Sequence, residues 1–201
     1  MFSRTVKMAA GLRALALALA LLTPLAACEV KVAGDSHPPI LFTDNAPMAL
    51  DVARIEVVEQ FKPPLTPPHI EHLAPVPPAH ALRNWARDRL LAQGTGGVAR
   101  FTIVDGSVTR QNLEKKTGLS GLVTTDQSLR YTVMMKVRVD VDAAAGQGFA
   151  EAMASRSQTV PENLSIAERD DILHALIAAT AKSLDKELER EIRAHLGPFL
   201  R

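Results

Sequence analysis

Between Leu129 and Val141 every second residue is apolar: Leu129, Tyr131, Val133, Met135, Val137, Val139 and Val141, with Arg130, Thr132, Lys136, Arg138 and Asp140 between them and Asp142 following. A period of two sends alternate side chains to opposite sides of an extended chain. The segment therefore predicts one long strand with a covered side and a wet side. Only Met134 breaks the pattern. A strand of this length must have a second layer over its apolar side, which points to helices packed on a sheet.

The C-terminal third supplies that cover. Ser165-Ile166-Ala167-Glu168 has the spacing of a capping box, in which the serine oxygen and the glutamate carboxylate each satisfy an orphan amide. The helix it opens is predicted to run to His195 or Leu196, where Gly197-Pro198 stops it, over roughly 45 Å. Leu173, Leu176, Ile177, Thr180, Leu184, Leu188 and Ile192 form its buried stripe. Leu82, Trp85, Ala86 and Leu90 predict a second helix reaching Gln93 and ended by Gly94, Gly96 and Gly97. Further strands are expected at Ala53–Phe61, at Val98–Arg110 and at Phe149–Val160, the last edge-like. Within the second of these, the phase reverses between Ile103 and Val108, so Asp105-Gly106 reads as a bulge or bend. Gln111–Ser128 reads as a long hairpin loop.

The expected fold class is α+β: two helices packed on one face of a mainly antiparallel four-stranded sheet, in the order βαβββα, built from residues 52–201. Residues 62–78 hold seven prolines. Each fixes its own φ and lacks a ladder donor, so this insert is expected to be extended and polyproline-like.

The N-terminal region has a different character. Residues 1–27 contain Arg4, Lys7 and Arg13, no acid, and an unbroken apolar run of nine residues from Ala14 to Leu22. That run suits a signal peptide and is too short to span a bilayer. It ends in Leu25-Ala26-Ala27-Cys28, which resembles a bacterial lipobox around the chain's only cysteine. The resemblance implies cleavage between Ala27 and Cys28, a diacylglycerol on the Cys28 sulfur and a second acylation site at the new amino terminus. Two or three acyl chains, at about 0.8 kcal/mol per buried methylene, give lasting membrane attachment. An ordinary secretory signal with an idle thiol is the alternative. Residues 28–51, polar and broken by Gly34, Pro38, Pro39 and Pro47, are read as a flexible tether. Glu29 stands where enteric lipoproteins retained in the inner membrane carry Asp, which points to the outer membrane.

Together, the lipobox, the Trp85-Ala86-Arg87 helix, the Leu129–Val141 strand and the helix around Asp170-Asp171-Ile172-Leu173 resemble small envelope lipoproteins that serve transport machines. Two such families are the auxiliary lipoproteins of ABC transport systems and the lipopolysaccharide-assembly lipoprotein of the outer membrane. The likeness covers about Val52 to Leu196. It implies a periplasm-facing, non-enzymatic component that docks on a membrane channel, permease or lipid-binding partner through protein contacts. A small lipid- or ligand-binding module is the alternative, and it requires an open apolar groove lined by Leu82, Trp85 and Met135.

The remaining chemistry is sparse. Removing the three cations of residues 1–27 from a net charge of +1 leaves −2, so no basic field exists for nucleic acid. No nucleophile elbow, phosphate loop or zinc-protease helix occurs, and an enzyme is not expected. His69, His72 and His80 could offer three imidazoles to zinc or copper, but a mobile Pro-rich segment would not hold them, and solvent-exposed loop histidines with no cofactor are expected. Asp170 and His174 form an i, i+4 pair suited to a surface contact. Arg130, Lys136 and Arg138 form a basic row on the wet side of the long strand, a candidate surface for anionic lipid or an acidic partner. The Cys28→Ser variant is expected to leave the membrane fraction on carbonate extraction, whereas the parent protein stays with the lipid.

Overall fold

The computed structural model describes residues 37–113 and 128–201. In chain order the elements are β1 (Met48–Leu50), β2 (Arg54–Glu59), α1 (Pro78–Arg89), β3 (Leu90–Ala92), β4 (Val98–Asp105), β5 (Val108–Leu113), β6 (Ser128–Ala143), β7 (Gly146–Pro161) and α2 (Ile166–His195). Short 3-10 turns occupy Glu71–Leu73 and Gly197–Phe199.

The long alternating strand is β6, and it organises the sheet. One edge pairs antiparallel with β7 from Ala143↔Gly146 to Ser128↔Pro161. The other edge takes β4, from Val98↔Asp142, and then β5, to Leu113↔Ser128. The register shifts between Ile103 and Asp105, so the bulge divides the single strand expected at Val98–Arg110 into two that share one edge. Gly106 and Ser107 span the gap, with the Ser107 amide donating to Asp105 Oδ1 at 2.8 Å. Both halves face their apolar residues the same way, Phe101 opposite Val139 and Val108 opposite Val133. That is why the sequence phase had to reverse.

The four-stranded, mainly antiparallel sheet is corrected in two respects. The main sheet has five strands and is mixed, because β2 runs parallel to β4, from Arg54↔Val98 to Glu59↔Ile103. Parallel neighbours need a crossover, and α1 is that crossover. A second, two-stranded parallel sheet pairs β1 with β3. The expected C-terminal end of the first helix is this β3. Its helix stops at Arg89, and the chain goes straight into a strand beside Met48–Leu50. Gly94 and the glycines after it therefore follow a strand and end no helix; at Gly94 a Cβ would lie 2.5 Å from the Asp51 and Val52 backbone, so the close approach of that segment requires glycine.

Both helices lie on the apolar side of the main sheet. The α2 stripe packs over β6 and β7, where Ala150 and Ala152 leave room for it, and Ser165 caps it with the reciprocal Glu168 bonds. Those bonds, the Ser165 hydroxyl first, hold the Glu168 carboxyl below its ordinary range. In α1, Trp85 stacks on Phe101 of β4 with centroids 5.4 Å apart.

Two segments expected to be loose are packed. From His37 onward the tether region lies against the domain, burying Ile40, Phe42, Met48 and Leu50. In the Pro-rich insert, Ile70, Ala74 and Val76 are buried, the Ile70 amide donates to the Val108 carbonyl at 2.8 Å, and the Arg110 amide donates to the Pro68 carbonyl at 2.9 Å. Prolines forbid a regular element there, yet the apolar residues between them still gain by burial. The hairpin loop expected at Gln111–Ser128 is shorter at both ends, because residues 111–113 belong to β5 and Ser128 to β6. The expected signal peptide, its cleavage point at Ala27 and Cys28, residues 114–127 of that loop and the tether before residue 37 lie outside the described residues.

Truncating Ile177→Ala in the buried stripe should cost about 2–5 kcal/mol. By contrast, Ile166→Ala, at a site 78% exposed in the first turn of the same helix, should stay within about 0.5 kcal/mol. Urea midpoints at constant m-value distinguish the two.

Candidate functional site

Because α1 and α2 cover one side of the sheet, the other side has no second layer among the described residues. Register determines what meets there. Across the strands, Glu56, Arg100, Asp140 and Phe149 form one row, and Val58, Thr102, Arg138 and Glu151 form the next, followed by Lys136 opposite Met153. Arg138 donates from Nε to Asp140 at 2.8 Å, lies 3.9 Å from Glu151, and holds its guanidinium carbon 3.9 Å above the Phe149 ring. Its bond to Asp140 raises its pKa further. Lys136 is ion-paired to Glu151, and Arg54 and Arg100 both reach Glu56, at 3.0 and 3.4 Å. The Arg54 bond is the foremost cause of a lowered Glu56 pKa.

Lys136 and Arg138 of the predicted basic row are therefore charge-compensated. Alternation along β6 identified which of its side chains share a face, but not that β7 would bring Glu151 against Lys136 and Arg138. Arg130 sits apart, opposite Gln111 and Thr159. Amid the paired charges, Phe149 is 52% and Met153 58% exposed. At this end of the face an open cleft of about 860 Å³ is lined by Arg100, Arg138, Asp140, Gln147 and Phe149 among others.

The covered side is filled. Leu82, Trp85 and Met135, the residues that would line a ligand groove, are all fully buried. Next to them is a polar network that sequence reasoning missed. Asp185 of α2 is buried and accepts from Trp85 Nε1 at 2.7 Å, Arg89 Nε at 2.9 Å and Asn45 Nδ2 at 2.9 Å. Arg89, 1% exposed, also bonds the Ala46 carbonyl and Glu189. The available signal was position: Asp185 directly follows Leu184 in the stripe, and Arg89 lies one turn from Trp85. What buries them is the 37–50 segment, which was expected to be loose. Glu189 is held below its ordinary pKa, first by Arg193 and then by Arg89.

The histidines are separated. His69 Nδ1 lies 3.6 Å from Glu71 Oε2, whereas His72 and His80 line a small cavity that Glu71 also borders but His69 does not. No three His, Cys, Asp or Glu side chains are placed to hold a metal ion among the described residues. The predicted Asp170–His174 pair is replaced by other contacts: His174 bonds the Pro38 carbonyl at 2.9 Å, and Asp171 takes His37 Nε2 at 3.0 Å. No helix among the described residues is long and apolar enough to cross a membrane.

No protein-family model and no curated protein matches the sequence. Two solved structures resemble the fold. One is a minor lipoprotein from Acinetobacter baumannii, with 11% identity, covering 70% of this chain and 93% of that one at a TM-score of 0.35. Another is the rare lipoprotein B from Shewanella oneidensis, with 9% identity, covering 70% and 95% at a TM-score of 0.35. Likeness at that level carries no argument about role, which has to come from the site.

Asp185→Ala strands a buried guanidinium and should cost about 3–5 kcal/mol in urea unfolding. Glu189 acts in the acid range. Because its folded pKa is depressed, its contribution is complete above the ordinary carboxylate value and is lost as pH falls through the lowered one. Glu189→Gln should flatten the acid limb of the stability–pH curve.

Proposed function

We propose that this chain is a lipid-anchored, periplasm-facing, non-enzymatic accessory component of an envelope transport or assembly complex, and that it acts by protein contacts through its uncovered sheet face. The observation that carries this reading is the contrast between the two sides of one sheet. The helix side is sealed by buried side chains. The other side presents an aromatic and a methionine among charges that are already paired, and residues of these types are enriched where proteins meet. Anchoring comes from the lipobox at Ala27-Cys28, through the diacylglycerol expected on Cys28, and Glu29 favours the outer membrane.

The alternative of a lipid- or ligand-binding module needs a groove beneath the helices, and Trp85 and Met135 occupy that space. Counted with Glu151 and Asp140, the basic row of Arg130, Lys136 and Arg138 keeps a net charge of only +1, a weak field for anionic headgroups. Nucleic acid is disfavoured by the weakly acidic chain that remains after residue 27.

The test is a photo-crosslinking amino acid placed at 149 or 153 in native membranes. Protein adducts are expected from these sites and not from Lys186 on the outer side of α2. Adducts only from Lys186, or only to lipid, would overturn the reading. Phe149→Ala combined with Met153→Ala should weaken the recovered complex by about tenfold or more without moving the urea midpoint.

A further inference from the structure

Away from the uncovered face, the Pro-rich insert, the segment after β2 and the first turn of α1 enclose a cavity of about 200 Å³. Its walls are apolar, from Phe61, Pro63 and Pro77, and two exposed imidazoles, His72 and His80, line it as well. Glu71 also lines it and is 2% exposed. One of its oxygens, Oε2, accepts the Val108 amide at 3.2 Å and lies 3.6 Å from His69 Nδ1. The other, Oε1, is buried with no hydrogen-bond partner among the described residues. A buried carboxylate oxygen in apolar surroundings is costly unless a donor meets it.

We infer that this cavity receives an alkylammonium group, with its nitrogen against Glu71 Oε1 and its methylenes against Phe61, Pro63 and Pro77. Three features select that chemistry. Small-molecule pockets run to about 300–1,000 Å³, and this one is smaller, which suits a single side chain or a short amine. Only one carboxylate oxygen is open, the other being taken by Val108, so a compact point charge fits better than the two-pronged fork of a guanidinium. A metal ion would need at least three converging donors, and the described residues do not supply them. Glu59 does not compete for the guest, because Arg83 holds it at 2.8 Å. The shared chemistry has two sources, a lysine of a protein partner or a free primary amine. The inference stands whether or not the sheet face docks a partner.

The experiment titrates the detergent-extracted full chain at pH 8 with n-butylammonium and, separately, with the peptide Ac-Gly-Lys-Gly-amide, following the imidazole resonances of His72 and His80. Saturable shifts are expected, with n-butanol giving none. Tighter binding of the peptide by about tenfold identifies a lysine source, and tighter binding of the amine identifies a free one. Glu71→Gln keeps an acceptor for the Val108 amide, and Ala79→Leu fills the cavity while leaving the carboxylate in place. Each should weaken saturation at least about tenfold with the near-UV signal of Trp85 unchanged. No saturation by either amine, or equal saturation by n-butanol, would mean that Oε1 takes no ammonium group and would overturn the inference. Unaltered affinity in both variants would do the same.

Discussion

The fold depends on the strict alternation of β6. Its 16 residues offer one apolar and one polar edge-to-edge stripe, and three ladders, with β4, β5 and β7, are registered on it. A slip of one residue against β7 would turn Val133, Val137 and Val139 outward and draw Arg138 and Asp140 into the core. Burial of seven alternate side chains on one side therefore specifies register far more firmly than any loop could. The bulge at Asp105–Ser107 follows from the same constraint: β4 and β5 must both face the covered side, and an odd insertion between them is the only way to restore phase.

The second organising element is ionic. A guanidinium 1% exposed would be a liability by itself, and replacing such a network with apolar side chains is often neutral or better for stability. Its geometry indicates what it contributes here. Arg89 ends α1, Asp185 and Glu189 lie on α2, and the Ala46 carbonyl and Asn45 amide belong to the segment that leads into the sheet. Hydrogen bonds to three separate stretches of chain set their mutual positions with a directionality that apolar packing lacks. The network thereby fixes the place where residues 45 and 46 meet the two helices.

These two elements also divide what the sequence made legible from what it did not. The β6 pattern, the Ser165 capping box and the α2 stripe are local signals, repeated over many residues, and each appears in the structure where the pattern placed it. The failures concern positions whose environment is set by distant chain. Polar composition and prolines made residues 37–51 and 62–78 look loose, because the few apolar residues in them, Phe42 or Ile70, have no period. They are buried by docking on elements already formed, which only the tertiary structure reveals. The burial of Asp185 is illegible for the same reason, since nothing in its helix indicates that Asn45 and Arg89 will meet it. Likewise Glu151 lies outside β6, and without it Lys136 and Arg138 look like free cations.

The pairing of those cations bears on what kind of contact the uncovered face can make. Exposed sheets invite indiscriminate association, and charges pointing from a sheet are one way to prevent it. Lys136, Arg138 and Glu151 do this for the area around Phe149 and Met153, which are exposed among salt bridges together with Val58 in the row of Arg138 and Glu151. A partner must then match a fixed pattern of compensated charge as well as cover the apolar pair, since any paired group it desolvates without replacement costs it affinity. Interfaces of that composition belong to proteins that fold alone and associate afterwards, in contrast to obligate dimers whose contact resembles a divided core. The sealed helix side is consistent with the same economy: with the core complete within one chain, the polar face remains available for recognition.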